Sequence, residues 1–82
     1  MFKNKSSEGL NNICGKNIAT LRKALNPKMS QRMLADQLQL RGIDVDKNAI
    51  QRIEAGKRFV TDIELEAFID IFKISYAELL KH

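Results

Sequence analysis

Residues 30–58, SQRMLADQLQLRGIDVDKNAIQRIEAGKR, form the stretch on which the fold of this chain depends. Ser30 can accept a hydrogen bond from an early helical N–H, and apolar residues recur behind it at helical spacing. Gly42 interrupts this pattern, and Asp46 offers the N-cap of a second helix. Gly56 ends that helix, because glycine adopts the left-handed conformation without a Cβ clash. The stretch therefore predicts two short helices separated by a turn.

The second of these helices, about residues 46–55, has one apolar side and one polar side. Ile50 and Ile53 are three residues apart and lie on the same side, where they can anchor the helix. The other side carries four polar residues, Lys47, Asn48, Gln51 and Arg52. Such side chains hydrogen-bond the base edges of guanine and adenine in the DNA major groove, and a residue as short as Ala49 can contact a thymine methyl. The pattern indicates a helix that reads DNA, with a solvated polar surface as the alternative.

Three further helices are predicted on either side of this stretch. Residues 15–25 carry an apolar stripe and end at Asn26-Pro27, because proline disfavours helical geometry in the residue before it. Residues 61–64 and 75–78 each fit the capping-box pattern and are followed or overlapped by apolar residues at helical spacing. No stretch alternates with period two for long enough to predict a strand. The sequence predicts an all-α domain of five helices over residues 13–82.

Composition limits the classes of function that the chain can have. Its 82 residues are 44% hydrophobic, enough for one core in one small domain. The net charge of +4 favours a polyanionic partner, with a slightly basic solvated surface as the alternative. Cys14 is the only cysteine, so neither an intramolecular disulfide nor a metal site with His82 is expected. A cytoplasmic protein without signal peptide or membrane-spanning helix is predicted.

Residues 1–12, MFKNKSSEGLNN, contain few large apolar side chains, Phe2 and Leu10 among them. Such a segment buries too little apolar surface to offset the entropy lost on ordering. We therefore expect a flexible N-terminal arm. Lys3 and Lys5 offer it a route to a DNA groove, and a disordered leader without function is the alternative.

In their order and spacing, these residues resemble the phage-repressor-like (Cro/cI, or XRE) family of helix-turn-helix proteins. The resemblance covers about residues 15–81. The matching segments are residues 18–22 (IATLR), Ser30-Gln31 with Leu34-Ala35, residues 50–58 (IQRIEAGKR) and residues 74–80 (ISYAELL). It implies a lambda-repressor-like domain in which the third helix lies in the major groove. One departure is the long turn at residues 40–45, which implies either a longer second helix or an enlarged loop around Gly42.

The resemblance also implies roles for individual residues. Base contacts would come from Lys47, Asn48, Ala49, Gln51 and Arg52. Phosphate contacts would come from Gln31 and Arg32, at the positive end of the second helix, and from Lys57 and Arg58. An ion pair between Arg22 and Glu54 would fix the third helix, with two independent surface charges as the alternative. The last helix, with Tyr76, Leu79 and Leu80, would complete the core or face a second subunit.

The predicted function is that of a sequence-specific, double-stranded-DNA-binding transcriptional regulator, with repression as the expected direction. A homodimer, at least on DNA, would match an inverted-repeat operator. No cofactor, small-molecule ligand or catalytic residue is expected, because the chain has neither a catalytic triad nor a Gly-rich phosphate loop. A protein-binding antitoxin or anti-repressor module on the same fold is the alternative. An RNA-binding role is disfavoured by one Tyr and no Trp.

Overall fold

The computed structural model of the protein describes residues 11–81, which form five helices and no strand. The helices are α1 (Gly15–Ala24), α2 (Gln31–Leu40), α3 (Lys47–Glu54), α4 (Asp62–Phe72) and α5 (Tyr76–Leu79). The predicted all-α class is confirmed. α1 ends one residue earlier than predicted, since Leu25 is extended, with ψ 152°. None of the helices in residues 11–81 is long and apolar enough to cross a membrane.

The four predicted caps begin the four helices at which they were expected. The Ser30 hydroxyl accepts a hydrogen bond from the Met33 N–H at 3.0 Å. The Asp46 carboxylate accepts one from the Ala49 N–H at 2.8 Å. Thr61 with Glu64, and Ser75 with Glu78, form complete capping boxes. Local sequence therefore sets where α2 to α5 begin.

The turn between α2 and α3 is an enlarged loop, and α2 does not run a turn longer. Gly42 has φ 81°, and its N–H donates to the Gln39 carbonyl at 3.0 Å. The Ile43 N–H donates to the Leu38 carbonyl at 3.0 Å, which completes a Schellman motif and stops the helix. The Gln39 amide then donates to the Val45 carbonyl at 2.8 Å and closes the loop. Gly42 thus ends α2 and the rest of the loop folds back onto it.

The core lies between α1, α2, α3 and α4, and α5 covers one end of it. Both isoleucines of α3 are fully buried, as predicted. The buried apolar residues are Cys14, Ile18, Leu34, Ala35, Leu38, Val45, Ile50, Ile53, Val60, Leu65, Ala67, Phe68 and Leu79. Leu25, which the sequence places in the α1 stripe, is exposed because the chain has already left the helix. The core thus holds α3 by one side only.

Asn11 and Asn12, which the sequence assigns to the flexible arm, lie within the described structure and hydrogen-bond to the rest of it. Residues 1–10, which make up most of the predicted arm, and His82 lie outside the described residues. Asn12 is almost fully buried, and its side-chain oxygen accepts a hydrogen bond from the Gly15 N–H at 2.7 Å. Asn11 and Asn12 therefore belong to the packed structure and not to an arm.

Gly15 allows α1 and α3 to approach each other backbone to backbone. A Cβ at this position would overlap the carbonyl oxygen of Ile53. The Gly15→Ala variant should lose about 1–3 kcal/mol of stability through overpacking, although alanine is the better helix former by about 1 kcal/mol. Chemical denaturation measures the change.

The matched control is the reverse exchange at the exposed end of the same helix. Ala24→Gly should also destabilise the protein, by up to about 1 kcal/mol, because only helix propensity acts there. If Gly15→Ala were as stable as the wild type, the close approach would not constrain α1.

Burial keeps the Cys14 thiol protonated. The side chain is fully buried, and desolvation raises its pKa from 9.0 to about 12. Because the unfolded chain ionises first, this group's contribution to stability is complete below pH 9.0 and is lost between pH 9.0 and about 12. At a pH 1.5 units above the unfolded pKa the loss should be about 2 kcal/mol.

Urea denaturation at pH 8 and near pH 10.5 tests this expectation, with Cys14→Ala as the control for other titrating groups. The wild type should lose about 2 kcal/mol more than Cys14→Ala over this interval. Equal losses would show that the thiol ionises in the folded protein.

Candidate nucleic-acid interface

The exposed side of α3 is polar and basic. Successive helical residues are about 100° apart, so residues 47, 48, 51, 52 and 55 share an arc of about 140° opposite the buried isoleucines. Four of them are the predicted base-contact residues Lys47, Asn48, Gln51 and Arg52, and all four are exposed. The fifth is Ala55, so this arc contains no acidic side chain. Its donors and acceptors are those that recognise base edges.

Ala49 differs from the other predicted base-contact residues. It is partly buried and packs against the core, at the edge of the polar arc. Its N–H is also the group that the Asp46 carboxylate caps. The structure therefore groups Ala49 with the residues that hold α3.

The predicted pair between Arg22 and Glu54 is present and largely buried. The Arg22 Nε and Nη2 atoms donate to the two Glu54 carboxylate oxygens at 2.8 and 2.9 Å. The two side chains are only 11% and 8% exposed. Hydrogen bonding to Glu54, which outweighs the opposing effect of burial, raises the pKa of Arg22 above its usual value. The pair is therefore a fixed two-pronged link between α1 and the last residue of α3.

Gln31 completes this link instead of facing outward. Its side-chain amide donates to Glu54 Oε1 at 2.9 Å. Arg22 Nη1 also donates to the Met29 carbonyl at 3.0 Å. This bond uses one of the two N–H donors of the Gln31 amide, so the phosphate contact of Gln31 stays a prediction for the other donor.

Arg58 is likewise engaged within the protein. Its guanidinium donates to both carboxylate oxygens of Glu64, at 3.1 and 3.0 Å. Glu64 Oε1 also accepts the Thr61 N–H at 2.9 Å as part of the α4 capping box. Arg58 therefore supports the start of α4, and because donors of its guanidinium are left over, its phosphate contact stays a prediction. Arg32 and Lys57, the other two predicted phosphate contacts, are exposed.

The three residues of the predicted dimer surface differ in how far they are exposed to solvent. Leu79 is fully buried and belongs to the core, so it is not available to a second subunit. Tyr76 is 48% exposed, and Leu80 is partly buried. The side chain of Asn17 in α1 donates to the Leu79 and Lys81 carbonyls, each at 2.7 Å, and fastens the C-terminal segment to the domain.

The sequence pattern assigns Asn11 and Asn12 to the flexible arm, whereas the structure places them against the C-terminal end of α3 and the loop after it. The Asn12 amide donates to the Ile53 and Arg58 carbonyls at 3.1 and 2.8 Å. Asn11 reaches the Gly56 and Lys57 carbonyls. An asparagine shortly before a helix is a capping signal, and it could have drawn attention to Asn12. The contacts to α3 come from distant parts of the chain and leave no local pattern.

Comparison with protein-family models, with curated proteins and with solved structures finds no match to this chain.

Breaking the buried Arg22–Glu54 pair should cost far more stability than breaking an exposed pair of the same type. Glu54→Gln removes the charge opposite a buried guanidinium and should cost about 3–5 kcal/mol. Arg41 and Asp70 supply the control, since their pair has the same 2.8 Å separation but side chains that are 32% and 67% exposed.

Asp70→Asn should therefore cost less than about 1 kcal/mol. Thermal denaturation of both variants measures the contrast. An unchanged melting temperature for Glu54→Gln would mean that the pair does not hold α3.

Proposed function

We propose that the protein is a sequence-specific, double-stranded-DNA-binding transcriptional regulator, acting as a repressor, with a lambda-repressor-like fold. α2, the loop and α3 are its helix-turn-helix, and α3 enters the major groove. The observation that carries the proposal is the exposed arc of α3. A helix held by two buried isoleucines presents Lys47, Asn48, Gln51 and Arg52 to solvent without an opposing acid.

The chemistry of this arc supports reading of bases. Gln51 and Asn48 each offer an amide that pairs with adenine N6 and N7, and Lys47 and Arg52 donate to guanine. Each good bidentate contact discriminates against the wrong base by about 1–3 kcal/mol. Four such side chains on one arc suffice for recognition of a short half-site.

Phosphate contacts are assigned to Arg32 and Lys57. Arg32 lies in the first turn of α2, whose N-cap is the neutral hydroxyl of Ser30, so the positive end of that helix remains available to an anion. Lys57 follows α3, and its backbone N–H donates to the Arg52 carbonyl, which places it directly after the base-reading arc. Gln31, the neighbour of Arg32, bonds to the last residue of α3, so both cations lie near the C-terminal end of α3, where they suit contacts with the DNA backbone.

A homodimer on an inverted repeat remains part of the proposal. Tyr76 and Leu80 at the C-terminal end are the contacts assigned to the second subunit, without Leu79. A two-fold pair of α3 helices would reach half-sites about 34 Å apart.

Selection from a random duplex library tests the proposed function. The selection is repeated at about 50 and 200 mM salt to detect phosphate contacts. A protein that makes about 6–10 such contacts loses about 10³–10⁵ in affinity between these two salt concentrations. Enrichment of an inverted repeat is the expected result, and its half-site spacing reports the dimer. Weak, salt-sensitive binding without enrichment would instead favour a protein-binding module, such as an antitoxin or anti-repressor.

Two variants separate base contacts from phosphate contacts. Gln51→Ala should relax specificity at one base pair by about 1–3 kcal/mol. Lys57→Ala should weaken binding to all duplexes alike and lower the salt slope by about 1. Fluorescence anisotropy with the selected duplex and a scrambled duplex measures both.

The control for lost charge is Lys73→Gly at the end of α4. Lys73 has φ 55°, a conformation that glycine accepts, so the variant removes one positive charge without straining the backbone. It should leave DNA affinity nearly unchanged. If Lys57→Ala lowered the affinity for the selected duplex alone, Lys57 would not be a phosphate contact.

A further inference from the structure

Two consecutive asparagines before α1 hydrogen-bond one carbonyl in the last turn of α3 and three carbonyls of the loop that follows α3. The Asn12 amide donates to the carbonyls of Ile53 and Arg58 at 3.1 and 2.8 Å. Asn11 donates through its backbone to Gly56 at 2.8 Å and through its amide to Lys57 at 3.0 Å. We call Asn11 and Asn12 the asparagine clamp. Four carbonyls of residues 53–58 therefore accept hydrogen bonds from it, and the Ile53 carbonyl also accepts the Gly56 N–H at 2.9 Å.

Both polar atoms of the Asn12 side chain form hydrogen bonds within the protein. The residue is 1% exposed, and its Oδ1 accepts the Gly15 N–H at 2.7 Å while its Nδ2 makes the two bonds to carbonyls. A single side chain thereby joins the first residue of α1 to the last turn of α3 and to the loop before α4. The absent Cβ of Gly15 allows this close contact, since a side chain there would overlap the Ile53 carbonyl.

The clamp acts at the end of α3 opposite to the residues that meet the bases first. α3 has 8 residues and is therefore about 12 Å long. A rotation of about 10° at its C-terminal end would displace the far end by about 2 Å, whereas a binding site tolerates about 0.5 Å. A small rotation of the helix near Ile53 therefore produces a larger displacement at Lys47 and Asn48.

We propose that the asparagine clamp is a positioning device that sets the orientation of α3 and of Lys57, and through them the sequence discrimination of the protein. This inference rests on the proposed function. The clamp does not touch DNA. It restricts α3 to the one orientation in which the polar arc can match base edges, while Lys57 receives its direction from the bond between its carbonyl and Asn11.

The test compares Asn12→Ala with Asn12→Asp. Ionised aspartate, favoured by measuring at pH 8, retains the oxygen that accepts the Gly15 N–H but cannot donate to the Ile53 and Arg58 carbonyls, so it separates the two kinds of bond. Both variants should lose at least about tenfold in affinity for the selected duplex and keep their affinity for a scrambled duplex within about twofold. Residual dipolar couplings of backbone amides should show α3 reoriented against α1 by about 10° or more.

Leu65→Ala, a buried substitution in α4, controls for lost stability. It should lower the melting temperature and leave the ratio of selected to scrambled affinity unchanged. If Asn12→Asp kept both the wild-type ratio and the wild-type couplings, Asn12 would be only a helix cap and the proposal would be overturned.

Asn11→Ala removes only one partly solvated bond and keeps the test open if the Asn12 variants do not fold. It should lower the affinity ratio by about twofold to threefold and shift the couplings of residues 56–58, and no change in either would overturn the proposal. A wild-type protein without sequence preference would refute the proposed function. The couplings would still decide whether the clamp orients α3.

Discussion

The orientation of α3 depends on one buried carboxylate. Glu54 is the last residue of α3 and accepts hydrogen bonds from Arg22 and Gln31, while Arg22 also binds the Met29 carbonyl. This network joins α1, the loop after it, the start of α2 and the end of α3. A buried ion pair is worth little net stability when its desolvation is counted, but a broken one is costly. Its effect is therefore to exclude other orientations of α3.

Two kinds of interaction hold α3: burial of its apolar side, and hydrogen bonds at its C-terminal end. Ile50 and Ile53 hold it against the core by non-directional burial, which leaves rotation and sliding weakly restrained. Directional bonds at the C-terminal end, from Arg22 on one side and Asn12 on the other, remove that freedom. Within residues 11–81, no buried side-chain nitrogen or oxygen lacks a partner. The polar arc takes no part in these bonds, so its side chains stay exposed to solvent.

Local features of the chain were readable from the sequence, and cross-chain bonds were not. Ser30, Asp46 and Gly56 act within a few residues of themselves, so spacing alone predicted the start of α2 and both ends of α3. Gln31 and Arg58 looked like free polar residues because their partners, Glu54 and Glu64, become neighbours only when the helices pack. Arg22 with Glu54 was predicted only through family resemblance. Burial of Leu79 in the core likewise depends on how α5 folds back, which periodicity does not specify.

The enlarged loop between α2 and α3 is held by bonds that are local in sequence. A helix-turn-helix usually sets its second helix through a turn of about 3–4 residues, so a longer turn would be expected to loosen it. Here the Schellman motif at Gly42 and the bond from Gln39 to Val45 close the loop onto α2. The opposite end of α3 is bonded through the Glu54 carboxylate and the Ile53 carbonyl, and neither bond involves this loop. Directional bonds therefore act on the chain at both ends of α3.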